Sequence, residues 1–408
     1  MYLIQSLKVK MVQLELFKHI DENQMSNKEL EVCGDDYSFL RQTSIPVLLN
    51  VKKTVKIVDL FCGCGGMSLG ILEACRYLDL NFEIAFAVDN DVLTTDCFKT
   101  NFSHFISDKN NVKTEDIRNF FKLPLGSDFS DEEKVLAKSI GKIDILIGGP
   151  PCQGHSDLNN STRRNDPKNE LYLYMARAAE VLKPNHVIIE NVTGAIHDKN
   201  QVVQKTANFL SYLGYQFSYI GNINLVRIGV PQYRKRLLLI ASKKTQSNIA
   251  ALEKKYVTEE RDLKWAIGDL IDIDVKTFID MPSNPSADNK KRISFLFEKN
   301  IFDLPDEQRP PCHRYKKHTY KSIYGRLRWE FPAPTITSGF YSMCMGRYVH
   351  PERQRTLTGH EAARIQFFPD YFDFTPAKRR TSLATIIGNA VPPKMSYVIA
   401  REILQYDI

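Results

Sequence analysis

Short apolar runs alternate with helical periodicity along the first half of the chain. Stretches whose apolar residues suit one helix face occupy residues 66–78, 170–183 and 200–213. The runs between them predict buried strands: VKIVDLF (55–61), FEIAFAVD (82–89), KIDILIGG (142–149), HVIIEN (186–191) and RLLLIAS (236–242). This alternation predicts an α/β fold with a doubly wound sheet.

The alternation stops at about residue 243. Proline-rich, basic and irregular sequence follows to about residue 345, and helical periodicity then returns in HEAARIQFF and in the last eighteen residues. We therefore predict an N-terminal extension of unknown role (1–52), a large α/β domain (53–264), a smaller irregular domain (265–345), and a return to the α/β domain (346–408). No internal repeat is visible.

Composition narrows the class of protein. The 408 residues are 43% hydrophobic and 25% charged, which is typical of a globular protein and excludes a largely disordered, collagenous or coiled-coil chain. No apolar run approaches a membrane span or a signal-peptide core, so we expect a cytoplasmic protein. The eight cysteines form no CxxC pair, which predicts free thiols and no metal site.

Positive charge is concentrated in one segment, residues 309–328. Seven lysines and arginines and no acidic residue occur there, a surplus equal to the formal net charge of +7 for the whole chain. Three tyrosines and two histidines are interleaved with these cations. The segment alone fits two interpretations, a solvated basic loop or a surface for nucleic-acid phosphates and bases.

A glycine-rich turn follows the first strand in VDLFCGCGGMSLG (58–70). Such a turn brings backbone amides close to a ligand at the carboxyl edge of the sheet. The dinucleotide fingerprint GxGxxG is not met, because Ser68 stands where the third glycine belongs. Asp89, at the end of the second strand, and Asp116 are candidates to bind ribose hydroxyls, although such acids are more often solvated loop residues.

A second chemical signal is GGPPCQGHS (148–156), directly after the strand KIDILI. A cysteine between Pro-Pro and Gln-Gly lies on a constrained loop, where its thiolate can be exposed. Glu190 ends the next strand, and burial at a strand end favours a protonated carboxyl group. The sequence thus predicts a nucleophilic thiol and a proton donor at neighbouring strand ends.

These motifs, in this order, resemble those of the DNA cytosine-5 methyltransferases. The likeness spans residues 57 to about 400 and rests on six strings: DLFCGCGG, PPCQGHS, ENV, QYRKR (232–236), RTLTGHEAARIQFFP (355–369) and GNAVPP (388–393). It implies a Rossmann-like sheet that binds S-adenosylmethionine, and it makes residues 265–345 a target-recognition domain. The basic segment lies inside that domain, which favours nucleic-acid contact there.

The resemblance also implies roles for individual residues. Cys152 is the expected nucleophile for cytosine C6, Glu190 the donor to N3, and Arg234 a stabiliser of the same ring edge; Gln232 and Arg236 are either catalytic or structural. The residues implied for the methyl donor are Phe61, Gly63, Gly65, Gly66, Asp89, Asp116, Ile117, Pro150, Leu171, Asn389 and Val391. Those implied for DNA are Gln153, Ser156, Arg314, Lys316, Lys317, Lys321, Arg326, Arg328 and Thr335.

Two departures from the family pattern affect packing and donor affinity: His155 stands where phenylalanine is usual, and Asp89 where glutamate is usual. The expected partner is double-stranded DNA, read by a monomer, with a cognate restriction endonuclease acting separately. Three alternatives are a tRNA cytosine-5 methyltransferase, a catalytically silent DNA-binding relative, and an amino-methyltransferase. The last would need an Asp/Asn-Pro-Pro-Tyr/Phe loop, and the second is disfavoured by the intact motif residues.

Overall fold

The computed structural model describes residues 36–46, 53–151, 170–244, 252–273, 275, 277–314 and 323–405. Two compact units divide the chain, Met1–Phe39 and Leu40–Ile408. Of the first unit the described part is the start of helix α1 (Asp36–Leu40); everything below concerns the second. The boundaries predicted at residues 52, 264 and 345 stay predictions. Among the described residues, no helix is long and apolar enough to cross a membrane.

A seven-stranded sheet forms the centre of the second unit, in the order β3-β2-β1-β4-β5-β8-β6. Strands β1 to β5 run parallel, and β8 lies antiparallel between β5 and β6. The strands are β1 (Thr54–Leu60), β2 (Asn81–Asp89), β3 (Val112–Thr114), β4 (Ile145–Gly148), β5 (His186–Asn191), β6 (Gln216–Asn224) and β8 (Lys235–Ser242). The doubly wound α/β prediction is confirmed.

Both faces of this sheet are covered. Val58 and Leu60 of β1 pack in one core with residues of the flanking helices, while Ile57, directly before Val58, points to the other face and is also fully buried. The helices of this part are α2 (Gly66–Tyr77), α3 (Val92–Phe102), α4 (Asp131–Ile140), α5 (Leu171–Leu182), α6 (Val202–Tyr212), α11 (Gly359–Ile365), α12 (Arg380–Asn389) and α13 (Pro393–Leu404).

The helix α13 near the end of the chain packs closely against α2. A Cβ atom at Gly70 would lie 2.0 Å from the carbonyl oxygen of Pro393, so only glycine permits this approach. Buried Ser396 Oγ donates to the carbonyl oxygen of Met67 at 2.7 Å. The last segment of the chain is therefore part of the α/β core, next to the glycine-rich loop.

The region between β8 and α11 has short elements: α7 (Leu252–Lys255), α8 (Leu263–Ile267), α9 (Ala287–Glu298) and α10 (Pro311–Arg314). Helix α9 was not predicted; Ser286 caps it, and Ile293 and Leu296 bury one face in a small core. Strand β9 (Ala333–Pro334) pairs in parallel with β7 (Gln232–Tyr233). This two-stranded ladder brings the irregular region to the carboxyl edge of the main sheet.

Candidate active site

A large cleft opens at the carboxyl edge of the parallel strands. Its volume is about 1310 Å³, and its walls come from the ends of β1, β2, β4 and β5, from residues 233–236, from residues 334–338 and 345–348, and from residues 385–391. Strand β1 lies between β2 and β4, so the loops after these strands meet there, as open α/β sheets require.

The β1–α2 loop has a fixed and unusual backbone. Phe61 has φ +60°, Gly63 φ +53° and Gly65 φ +96°, a left-handed conformation that costs a phenylalanine free energy and marks functional loops. A Cβ at Gly63 would meet no atom within 4 Å, whereas one at Gly65 would lie 2.3 Å from Phe102. Gly63 thus exposes backbone to the cleft, and Gly65 serves packing behind it.

Two carboxyl groups face this loop. Asp89 accepts hydrogen bonds from the amides of Gly63 and Asp91, both at 3.0 Å, and burial raises its pKa. Asp59 is 2% exposed and accepts from Ser68 Oγ at 2.6 Å; burial raises its pKa to about 8. Asp59 was not among the residues predicted for the site. The sequence did contain a sign of it, because a carboxyl group inside the apolar run VKIVDLF is costly to bury unless it has a specific partner or function.

Asp116 stands at the entrance of the same cleft. Its carboxylate accepts from the amide of Arg118 at 2.9 Å and from the Arg118 guanidinium at 2.8 and 2.6 Å, and these bonds lower its pKa. Ten of the eleven residues predicted for the methyl donor line the cleft, Gly65 being the exception. The ten are Phe61, Gly63, Gly66, Asp89, Asp116, Ile117, Pro150, Leu171, Asn389 and Val391.

Glu190 and Arg236 form a buried ion pair on the opposite side of the cleft. Arg236 Nε lies 2.6 Å from Glu190 Oε1, and the two side chains are 14% and 9% exposed. Burial lowers the pKa of Arg236, and the neighbouring Glu190 acts against that shift. A Cβ at Gly149 would lie 3.2 Å from Glu190 Oε2, so glycine keeps this carboxyl group accessible from the end of β4.

Arg234 lines the cleft, but Arg234 and Gln232 make their hydrogen bonds to other elements. Arg234 donates to the carbonyl oxygens of Ile336 at 3.1 Å and Ala390 at 3.0 Å, and burial lowers its pKa well below the usual value. Gln232 is fully buried and does not line the cleft. The structure therefore brings Arg236, rather than Arg234, into contact with Glu190.

Cys152, Gln153 and Ser156 lie outside the described residues, as does His155. The described chain reaches Pro151, which lines the cleft directly before the cysteine. Asn191 Nδ2 donates to the carbonyl oxygen of Pro150 at 3.2 Å, fixing this segment beside β5. Because β4 and β5 are neighbours in the sheet, the chain enters the predicted nucleophile loop next to Glu190.

The residues predicted to contact DNA fall into three groups. Five lie outside the described residues, namely Gln153, Ser156, Lys316, Lys317 and Lys321. Thr335 lines the cleft, and its Oγ1 donates to the carbonyl oxygen of Tyr233 at 2.6 Å. The remaining three are arginines of the basic segment.

These arginines differ in their engagement. Arg314 is exposed and donates to two backbone carbonyl groups of its own loop. Arg326 is half-buried, donates to the carbonyl oxygen of Pro351 at 2.7 Å, and lies 4.0 Å from the ring centre of Phe297. Arg328 is exposed and lies 4.2 Å from the ring centre of Phe302. Within the described residues, no cluster of metal-ligating side chains occurs.

Comparison with known proteins identifies the family. The model of the C-5 cytosine-specific DNA methylases matches residues 55–405. The Type II methyltransferase M1.BsuMI of Bacillus subtilis (strain 168) is 44% identical over 376 residues, covering 92% of this chain and 86% of the relative. The Type II methylase M.HgiDII of Herpetosiphon aurantiacus is 28% identical over 376 residues, covering 86% and 95%.

Among solved structures, the S. pombe Dnmt2 methyltransferase superimposes with a TM-score of 0.60 at 15% identity, covering 87% of this chain and all of that one. At that identity the likeness concerns the fold alone. The family model and the B. subtilis relative each extend over most of the sequence, including the glycine-rich loop, Glu190 and the Gln-x-Arg-x-Arg motif. The chain therefore belongs to the family of C-5 cytosine-specific DNA methylases.

Proposed function

We propose that this DNA methyltransferase transfers the methyl group of S-adenosylmethionine to C5 of a cytosine flipped out of a specific duplex sequence, through a covalent adduct with Cys152. The observation that carries this proposal is the Glu190–Arg236 pair at the end of β5, beside the strand that leads into Pro-Pro-Cys152. In this proposal the protein is the modification enzyme of a type II restriction–modification system, which its similarity to Type II methyltransferases supports.

The donor half of the cleft suits S-adenosylmethionine. The open backbone at Gly63 admits a ligand against the loop, and Asp89 offers carboxylate oxygens for ribose hydroxyl groups. Phe61, Ile117 and Leu171 supply apolar surface for an adenine ring. When bound, the cofactor supplies an electrophilic methyl group on a sulfonium centre.

The protein must make cytosine C5 nucleophilic. The Cys152 thiolate adds to C6, which gives C5 the electron density to take the methyl group; the S–CH3 bond of the donor would break at this point and leave S-adenosylhomocysteine. Loss of the C5 proton to solvent then lets the Sγ–C6 bond break and restores the thiolate. In its protonated form, Glu190 donates to N3 and offsets the charge that develops there. We assign the support of this ring edge to Arg236, because it contacts Glu190, and give Arg234 a structural role.

Cytosine C6 is not accessible inside a stacked duplex, so the base must be extruded into the cleft at a cost of a few kcal/mol. Residues 265–345 provide that free energy through phosphate and base contacts, as a target-recognition domain. Thr335 stands at the entrance on this side. The protein acts as a cytoplasmic monomer, and the endonuclease of the system works separately on the same sequence.

Expression in a methylation-free bacterial host tests the proposal. Sequencing of the host genome for 5-methylcytosine should reveal one short motif methylated at a fixed cytosine, and the host with an empty vector should show none. Incubation of the purified protein with duplex DNA and with tRNA distinguishes the proposed enzyme from the main alternative, a tRNA cytosine-5 methyltransferase. Methylation of tRNA alone, or of cytosine N4, would overturn the proposal.

A further inference from the structure

Three buried polar side chains join the two walls of the cleft, and one of them, Arg234, also lines it. They are Gln232, Arg234 and Gln366, with 0%, 3% and 0% exposure, and we call them the interwall clamp. Gln366 follows helix α11 and belongs to the string RTLTGHEAARIQFFP, whose sequence pattern indicates only a supporting helix. No predicted role was attached to it.

One wall of the cleft is formed by residues 334–338, and we call it the recognition wall. The clamp holds this wall at Ile336. Gln232 Oε1 accepts from the amide of Ile336 at 3.2 Å, and Arg234 donates to its carbonyl oxygen at 3.1 Å. Both backbone polar groups of Ile336 are thereby fixed. Thr335 and Thr337, its neighbours on either side, line the cleft.

The facing wall is formed by residues 388–391, and we call it the donor wall. The same clamp holds it at Ala390. Its carbonyl oxygen accepts from Arg234 at 3.0 Å and from Gln366 Nε2 at 3.2 Å, and Gln366 also donates to the carbonyl oxygen of Ile387 at 2.6 Å. Asn389 and Val391, on either side of Ala390, line the donor half of the cleft.

A direct bond closes the clamp, since Gln232 Nε2 donates to Gln366 Oε1 at 2.7 Å. The walls also touch directly: a Cβ at Gly388 would lie 2.3 Å from the amide nitrogen of Ser338. In a buried network, a polar group that loses its partner carries a full desolvation cost. A shift of Ile336 therefore cannot leave Ala390 in place without breaking one of these bonds.

We propose that the interwall clamp couples the two substrates, so that duplex DNA bound at the recognition wall tightens donor binding at residues 389–391, with Gln366 as a positioning residue. This inference rests on the proposed function of the cleft. Thermodynamic linkage then requires the reverse effect of equal size, with the donor tightening DNA binding.

The test measures binding, with S-adenosylhomocysteine as the donor-site probe and a cognate duplex as the DNA. The dissociation constant of the probe is determined with and without duplex for the wild type and for Gln366→Met, which keeps the volume but removes the amide. Tyr215→Phe is the matched control. It removes another buried hydrogen bond, from Tyr215 Oη to the carbonyl oxygen of Pro184 at 2.7 Å, at the start of β5 and away from the cleft.

In the wild type, duplex should tighten probe binding by about 5-fold or more. Gln366→Met should reduce that ratio to near 1, while Tyr215→Phe keeps it even where both variants melt at lower temperature. Gln366→Asn, which retains an amide, serves if Gln366→Met does not fold and should show an intermediate ratio. A wild-type ratio of 1, or an unchanged ratio in the Gln366 variants, overturns the coupling. Failure of the wild type to bind probe or duplex would instead overturn the proposed function.

Discussion

The half of the cleft proposed for the methyl donor and the irregular region between β8 and α11, which we call the recognition region after its proposed role, are built in opposite ways. In the donor half, short loops after parallel strands bring backbone amides to carboxyl groups at the strand ends, as Gly63 and Asp91 donate to Asp89. The recognition region surrounds a small core, and several of its arginines donate to backbone carbonyl groups. Its core residues are Ile293, Leu296, Leu304, Ile323, Tyr324, Met343 and Val349.

The number of cations in the recognition region therefore does not measure how many of them are available to bind DNA. Arg326 donates to Pro351, and Arg347 donates to the carbonyl oxygens of Phe302 and Arg326. These guanidinium groups satisfy backbone groups that a region poor in strands leaves unpaired. Part of the positive charge near the cleft therefore stabilises the fold of the recognition region.

The largest effect should come from the nucleophile. Cys152→Ser should lose methyl transfer entirely while still binding cognate duplex, because a serine hydroxyl at neutral pH is far less nucleophilic than a thiolate. Duplex carrying 5-fluorocytosine at the target should trap a covalent adduct with the wild type only, visible by denaturing electrophoresis. Near-normal turnover by the variant would rule out covalent catalysis.

Substitutions in the Glu190–Arg236 pair should have the second-largest effect on methyl transfer. Glu190→Gln removes the transferable proton and should lower kcat by about 10²- to 10⁴-fold, with duplex affinity changed little. Arg236→Lys keeps the charge but loses the fork geometry and should lower kcat less. Single-turnover kinetics separate these effects from binding. If Arg234→Lys impaired chemistry more than Arg236→Lys, our assignment of the two arginines would have to be exchanged.

The sequence predicted the donor half far better than the recognition region. HVIIEN matches β5 at both ends, because a parallel strand buried on both faces is a continuous apolar run. Strand β6 was missed, since it lies at the sheet edge and is largely half-exposed. Helix α12 was not predicted either.

The roles within QYRKR were beyond sequence reasoning. Alternation along a strand puts Gln232, Arg234 and Arg236 on one side. The partners of Gln232 and Arg234, which are Ile336, Ala390 and Gln366, lie more than 100 residues away. Only the fold decides which arginine meets Glu190. Whether Cys152 and the lysines of the basic segment act as expected stays a prediction.

His360 of α11 connects the recognition region to the α/β domain, and this connection should depend on pH. His360 Nδ1 contacts Asp280 and Nε2 contacts Asp370, both at 2.8 Å. Burial alone would lower the pKa of His360, but the two carboxylates outweigh it and raise the pKa to about 9. Its contribution to stability is thus fully present below pH 6.5 and is lost as pH rises through about 9.

Substitution of His360 tests whether its contacts with Asp280 and Asp370 stabilise the protein through the imidazolium charge. His360→Gln should destabilise the protein by up to about 3 kcal/mol at pH 6, since each pKa unit corresponds to 1.36 kcal/mol, and by much less at pH 9.5. Thermal denaturation at the two pH values measures this, and exposed His197→Gln is the control. A loss that is equal at both pH values would show that the imidazolium charge is not what matters.

The smallest effect should distinguish the two arginines at the end of the basic segment. Arg326→Ala removes the bond to Pro351 and the contact with Phe297, so it should lower the free energy of unfolding by about 1–3 kcal/mol. Arg328 is exposed, and its loss should change stability by less than about 0.5 kcal/mol. If Arg328 reads a guanine edge, Arg328→Ala relaxes the methylated motif at one position and costs about 1–3 kcal/mol there. Methylation maps and thermal denaturation of both variants decide this. If Arg326→Ala instead relaxed the methylated motif and left stability unchanged, the roles of the two arginines would be reversed. In that case even a half-buried arginine of this region would contribute to DNA recognition and not to the stability of the fold.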